Sequence, residues 1–315
     1  MLGLRHGTRE EAEVSKVNLV SFSGGRTSAY LVWLMEQKRK NEGWNVAYVF
    51  MDTGAEHPAT YQFIRDIVNH WGIDLTCLRV RYNPNLSTGN SYDVVSVNDI
   101  GPDLAPWKGM VNKYGSPSAV APYCTTRMKT DPHNKWANDI YGKDGYITWL
   151  GIRADEPRRL KSVEGIKFLA EISDMEKPDI LQWWEAQPFD LGIEEHLGNC
   201  VFCIKKSLNK LGLAIKDEER LAAEFIEMSE GDEVRVTGRK HNHKKMYRKM
   251  LHLSDIKQMY AEEPRDELYK RLRFTKQFDT GSCTESCEVF NLEDDTNQIQ
   301  EGGERREEEV ENTET

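Results

Sequence analysis

Residues 17–31 read VNLVSFSGGRTSAYL, an apolar run that enters a glycine turn and leaves it as a second apolar pattern of different period. Val17, Leu19, Val20 and Phe22 have the continuous apolar character of a strand buried on both faces, whereas Ala29, Tyr30, Leu31, Trp33 and Leu34 recur at helical spacing. Between them lie Ser23, Gly24, Gly25, Arg26, Thr27 and Ser28. Two glycines allow a tight bend. Unpaired N–H groups at the helix start, aided by the hydroxyls of Ser23, Thr27 and Ser28, can then surround an anion. The stretch is therefore expected to be a phosphate cradle between a strand and a helix.

Downstream, the alternation continues. Val49 and Phe50 run into Asp52-Thr53-Gly54, and Pro58 marks the start of a helix whose apolar face carries Tyr61, Phe63, Ile64 and Ile67. Leu75, Cys77, Leu78 and Val80 predict a third strand, and Tyr146–Ile152 a fourth. Strands alternating with helices imply an α/β fold with a doubly wound parallel sheet, whose ligand sits at the carboxyl ends of the strands. Residues 83–123, rich in Asn, Ser, Pro and Gly, read as a long active-site loop. The expected organisation is a flexible lead-in over 1–15, a nucleotide-binding domain over 16–195, a helical, cysteine-bearing region over 196–291 and an acidic, disordered tail over 292–315.

Composition narrows the function classes. The chain has 315 residues, 38% of them hydrophobic, enough for a full core, and no stretch reaches the ~18 apolar residues of a membrane span. Its first residues lack an apolar leader, so a cytoplasmic location is expected. The net charge of −10 is concentrated in residues 293–315, which hold ten Asp/Glu against Arg305 and Arg306. By contrast, residues 234–251 carry seven Lys/Arg and no acid, a pattern suited to an anionic partner such as a nucleotide or a nucleic-acid backbone. Six cysteines, Cys77, Cys124, Cys200, Cys203, Cys283 and Cys287, point to metal, cluster or redox chemistry rather than a disulfide framework. Cys77 lies within a strand pattern and reads as core. The CxxC of Cys200 and Cys203 fits zinc, a redox pair or a cluster; with Cys124 and one of Cys283 or Cys287 it supplies the four thiolates of a 4Fe-4S cluster.

Several segments, taken in order, resemble one family. SGGRTS resembles the PP-loop of adenine-nucleotide enzymes, with Thr27 where the pattern SGGxDS has Asp. DTGAEHPATYQF is similar to the DTG...PETY segment of phosphoadenylyl-sulfate (PAPS) reductases, YCTTRMKTDP to their Cys-x-x-x-x-Lys-x-x-Pro signature, and GIRADEPRRLK to their Gly-Ile-Arg segment. KPDILQWWEAQPF resembles their Pro...Trp segment, where Trp183 and Trp184 are expected to pack the core. The resemblance implies a PP-loop, adenine nucleotide alpha hydrolase-like fold. It implies that Ser23–Ser28 hold phosphate, Asp52, Thr53 and Gly54 adenosine, and Lys129 and Arg153 the anionic group, with Arg158 assisting. It further implies a nucleophilic cysteine, for which Cys283 is the candidate, and Cys124, Cys200, Cys203 and Cys287 as cluster ligands. ATP, or PAPS or its adenylyl-sulfate (APS) relative, would be the nucleotide, and an electron or sulfur donor protein the partner. The implied activity is sulfonucleotide reduction. The alternatives are ATP-dependent sulfur insertion into nucleic acid, as in DNA phosphorothioation, and a non-catalytic nucleotide sensor; the reductases' C-terminal Glu-Cys-Gly-Leu/Ile-His motif is absent from the sequence.

Overall fold

Val17–Phe22 forms strand β1 at the middle of a sheet in the computed structural model, which describes residues 16–236 and 244–274. The other strands are β2 (Val46–Met51), β3 (Leu75–Arg81), β4 (Ser91–Val95), β5 (Tyr146–Leu150) and β6 (Ile166–Phe168). Their spatial order is β4-β3-β2-β1-β5-β6. All neighbours run parallel except β4, which pairs antiparallel with β3 through Leu78↔Val94 and Val80↔Tyr92. The strand order reverses between β1 and β5, and a doubly wound sheet opens its ligand crevice at that point.

Both faces of β1 are covered, which explains its uninterrupted apolar sequence. Val20 and Phe22 share one core cluster with helices α1 (Arg26–Glu42), α2 (Pro58–Trp71) and α5 (Lys177–Glu185). Leu19, Val49, Met51 and Leu78 face the opposite side and meet Trp136 and Ala137 of α4 (Asp131–Tyr141). Gly43 and Gly72 end α1 and α2 in the left-handed conformation that a side chain disfavours. β5 ends at Leu150, two residues before the expected Ile152, and Gly151 just beyond it lies close against Ser28 of α1. Trp184 packs as expected, fully buried against Phe63 and Trp71, whereas Trp183 is partly buried.

Residues 83–123 are not one long loop. They hold the edge strand β4 and helix α3 (Ala105–Tyr114), and none of them lines the cavity beside the PP-loop. Trp107, Met110 and Val111 of α3 instead join Cys124, Cys200 and Cys203 and the later helices α6 (Leu208–Asp217), α7 (Glu219–Glu230), α8 (Leu253–Met259) and α9 (Arg265–Phe274) in a second large core. That core includes Ala55 and Val80, so the expected division near residue 195 falls across a shared apolar cluster. No described helix is long and apolar enough to cross a membrane.

His133 of α4 is fully buried beside Tyr146, and burial pushes its imidazole down to about 4 from 6.5. The unfolded chain then binds the proton more readily than the folded one, so this residue's contribution is complete above pH 6.5 and is lost as pH falls through about 4. Denaturant titrations across that window should lose up to about 3 kcal/mol to this site in wild type. His133→Gln should show a flatter profile, and an identical slope would remove His133 as the cause.

Candidate functional site

The phosphate turn is shaped by neighbours on two other elements. Gly24 has φ +83°, and a Cβ there would come within 2.8 Å of Thr60 Cγ2 on α2. Gly25 has only an ordinary contact on its Cβ side, Ser23 Oγ at 3.9 Å, and leads into α1, whose start has neither a side-chain cap nor an acidic residue in its first turn. That helix end presents N–H groups and the positive end of its dipole to whatever lies in front. Ser28 holds the turn together: its Oγ donates to the Gly25 carbonyl (3.0 Å), accepts from the Ser23 N–H (3.2 Å) and lies 2.8 Å from Ser23 Oγ.

Gly151 brings β5 against this loop. Any Cβ at 151 would lie 2.8 Å from Ser28 Cα and 3.0 Å from its backbone nitrogen, so only glycine permits the approach. Two residues later Arg153, 3% exposed, donates from Nη1 to Thr27 Oγ1 (3.1 Å) and from Nε and Nη2 to Asp155 (2.7 and 3.2 Å). Glu156 caps the Arg153 N–H (3.1 Å) and pairs with Arg159 (2.5 Å). Thus 126 positions of sequence close into one contact between the PP-loop and the strand on its other side.

These residues line a cavity of about 570 Å³. Ser23 through Ser28, Gly151, Arg153 and Arg159 line it together with Lys177, Ile180, Leu181, Leu191 and Ile193, and Gly198 and Asn199 join the lining just before Cys200. Arg158 is exposed and absent from the lining, and the buried Arg159 takes the place expected for it. The turn Arg153-x-x-Glu156-x-x-Arg159 puts every third side chain inward, a spacing present in the sequence.

Asp52, Thr53 and Gly54 lie outside the cavity lining. Asp52 accepts from Arg79 Nε (2.6 Å), Tyr61 (3.2 Å) and the Gly54 N–H (2.9 Å), and burial, together with nearby Glu56, pushes its carboxyl up to about 6 against the pull of Arg79. Thr53 donates to Glu56 (2.7 Å) and lies 3.7 Å from Cys200 Sγ. Lys129, also outside the lining, sits 3.9 Å from the same Glu56. The segment therefore supports the CxxC loop: Glu56 and Cys200 form a β-bridge, and the Val201 N–H donates to the Ala55 carbonyl (2.9 Å).

Cys124, Cys200 and Cys203 are all buried in one apolar cluster, with the buried Lys206 ammonium donating to the His196 and Val201 carbonyls beside them. Cys200 Sγ also lies 3.9 Å from Glu56 Oε1. Cys283 and Cys287 lie outside the described residues. Cys77 is wholly buried in β3, and burial raises its thiol to about 12, which fits its reading as core. Among the described residues, one group brings three possible metal-ligating atoms within 4.8 Å: Glu194, His196 and Asp217. Arg265 already pairs with both of its carboxylates (2.8 and 2.9 Å) and supplies that site's positive charge.

A glycine loop at the β1 switch point, with an arginine delivered from the end of β5, defines the class: an α/β protein with its ligand crevice at the strand ends. Residues 17–187 match the phosphoadenosine phosphosulfate reductase domain family, and the chain belongs to that family. An uncharacterised nin region protein of Escherichia phage lambda is 54% identical over 277 residues, spanning 87% of this chain and 95% of the phage protein. An uncharacterised protein of Methanocaldococcus jannaschii is 27% identical over 144 residues, 46% of this chain and 24% of that protein.

Gly151→Ala tests the packing that assembles this lining. The added methyl meets backbone rather than a movable side chain, so a loss of about 1–3 kcal/mol is expected on denaturant unfolding, with weakened nucleotide binding. Wild-type stability and affinity would show that the approach of β5 to α1 is not required.

Proposed function

We propose that the protein binds an adenine nucleotide in this cavity and acts as a sulfonucleotide reductase, with the cysteine-bearing region as its redox partner. The observation that carries the reading is the shared cavity. The PP-loop, Arg153 and Gly198-Asn199 all line it, and Gly198-Asn199 runs straight into Cys200. Ser23–Ser28 would hold phosphate, while Arg153 and Arg159 would offset charge on the departing nucleotide. A thiolate, with Cys283 as candidate, would attack sulfur; the S–O bond to phosphate breaks, the nucleotide leaves with that electron pair, and sulfur stays on the cysteine. A second thiol from a donor protein then releases sulfite and takes up the oxidised state as a disulfide. Asp52, Thr53, Gly54 and Lys129 would serve as a support shell joining nucleotide and cysteine elements. Arg158 could reach the anion only by moving inward. A 4Fe-4S cluster held by Cys124, Cys200, Cys203 and Cys287 would supply a redox-active, anionic centre. Such thiol chemistry suits the reducing cytoplasm.

A second reading is ATP-dependent sulfur insertion into nucleic acid. It is favoured by an exposed basic turn beside the CxxC loop: Arg248 donates to the Lys205 carbonyl and Tyr247 to that of Phe202, with Lys249 and Met250 in left-handed backbone. Such strain in non-glycine residues is held only where surroundings enforce it.

Calorimetric titration with ATP, APS and PAPS separates the two. Arg153→Ala should weaken the sulfonucleotides by about 1.5–3 kcal/mol, roughly ten- to a hundredfold, since a charge-assisted contact is removed. Selective loss of APS and PAPS supports reduction, selective loss of ATP supports insertion, and undiminished binding of all three sinks the assignment of Arg153. Independently, anaerobically prepared protein should contain iron and acid-labile sulfide. Cys200→Ser and Cys203→Ser should remove both, and Cys77→Ser should retain them; zinc in place of iron would refute the cluster.

A further inference from the structure

The cavity beside the phosphate turn is lined by two kinds of surface, and they come from different stretches of chain. The turn and the Arg153 loop bring polar, charged or glycine positions, whereas every apolar side chain of the lining, Pro178, Ile180, Leu181, Leu191 and Ile193, belongs to α5 or to the loop that follows it. Ile180 and Leu191 are buried, but Leu181 is 39% exposed. A lone exposed leucine is ordinary on a convex surface; in a concave lining it leaves apolar area for a ligand to cover. The loop after α5 is fastened on both sides. Phe189 packs against Phe63 and Trp184 in the core, and the next residue, Asp190, accepts from both Nε and Nη2 of Arg26, the first residue of α1, at 2.7 Å each. Asp190 Oδ1 also accepts the Leu191 N–H (2.7 Å), and Trp184 Nε1 donates to the Arg26 carbonyl (3.0 Å). The ion pair is partly exposed, so it adds little to stability; its bidentate geometry instead fixes where Leu191 stands relative to the phosphate turn.

We propose that Leu181, Leu191 and Ile193 form the subsite for the purine of the nucleotide, and that Asp190, through Arg26, is the positioning residue that sets this subsite against the phosphate cradle; this rests on the nucleotide reading above. A nucleotide is anionic at one end and flat and weakly polar at the other, and the lining divides in the same way. The segment expected to hold adenosine, Asp52–Gly54, lies outside the lining, with the Asp52 carboxylate and the Thr53 hydroxyl already bonded to Arg79 and Glu56. Within the cavity, side-chain apolar contact for a base is offered by α5 and its loop and by nothing else in the lining. Arg26 then serves both ends, its backbone at the start of the cradle helix and its guanidinium on the loop that carries the base contacts.

The test is calorimetric titration of the full chain with AMP and with inorganic pyrophosphate, comparing wild type, Leu181→Asn, Asp190→Ala and Asp190→Glu, with thermal unfolding as the check on folding. Leu181 is exposed, so asparagine there leaves the core intact. Leu181→Asn should weaken AMP by roughly tenfold, the change expected when one apolar side chain no longer covers a ligand, and leave pyrophosphate unchanged. Asp190→Ala should weaken AMP by a similar factor with pyrophosphate retained, and Asp190→Glu, whose carboxylate can still take the guanidinium, should recover most of the loss. A merely structural role would move both ligands together or neither. Unchanged AMP binding by the folded Leu181→Asn protein overturns the purine subsite, and an equal loss of pyrophosphate overturns it by placing the effect on the cavity as a whole. Full AMP affinity in Asp190→Ala overturns the positioning role. Failure of wild type to bind AMP, ATP, APS and PAPS alike overturns the nucleotide reading itself, a result distinct from the others.

Discussion

Backbone against backbone, Gly151 on Ser28, is the contact on which the site depends. Parallel pairing sets Leu150 opposite Ser21, so the two chains leave the sheet side by side. One turns into α1 and the other into the Arg153 loop. Any side chain at 151 would wedge them apart, and the Thr27–Arg153 hydrogen bond, 3.1 Å long, would be the first interaction lost. The cavity is therefore a consequence of sheet register and one missing Cβ, which is why its walls come from segments so distant in sequence.

The sequence announced the parts with strong local grammar. β1, β2 and β3 are apolar runs bounded by glycine or polar turns, and α2 carries a proline start and a clean apolar face. β4 and α3 were hidden for physical reasons. β4 is an edge strand with Asp93 and Val94 both exposed, so burial imposes little pattern on it. α3 has Pro106 in its first turn, but it begins after Leu104 in left-handed backbone, a residue that offers no side-chain cap. Within GIRADEPRR, charge alone could not tell Arg158 from Arg159, because both are guanidiniums; the pairing with Glu156 that buries one of them is a tertiary fact.

The DTG segment shows how a motif can lie beside a site and still work through packing. Asp52, Tyr61, Glu56 and Thr53 form a buried chain of hydrogen bonds from Arg79 to the CxxC loop. Carboxylates at both Asp52 and Glu56 are costly at such burial, and their neighbours Arg79 and Lys129 offset that cost. The same turn continues into Pro58 and Thr60. Displacement at the cysteine loop would therefore reach the cavity through four residues of chain and a rigid helix start, a shorter route than any through the sheet.

Charge bookkeeping in the cavity explains what kind of recognition is available. Arg153 faces Asp155 and Glu156, Arg159 faces Glu156, Lys177 faces Glu195 and Arg26 holds Asp190. With each cation already beside a carboxylate, the local field is close to balanced, and a bulk positive potential cannot supply the attraction for an anion. What remains is directional: the uncapped amides of α1 and the guanidinium donors that Asp155 and Thr27 leave over. In this setting Thr27 has a physical role. An aspartate at that position would give Arg153 a third carboxylate and make the phosphate turn itself more negative, whereas the threonine hydroxyl orients the same guanidinium without adding charge.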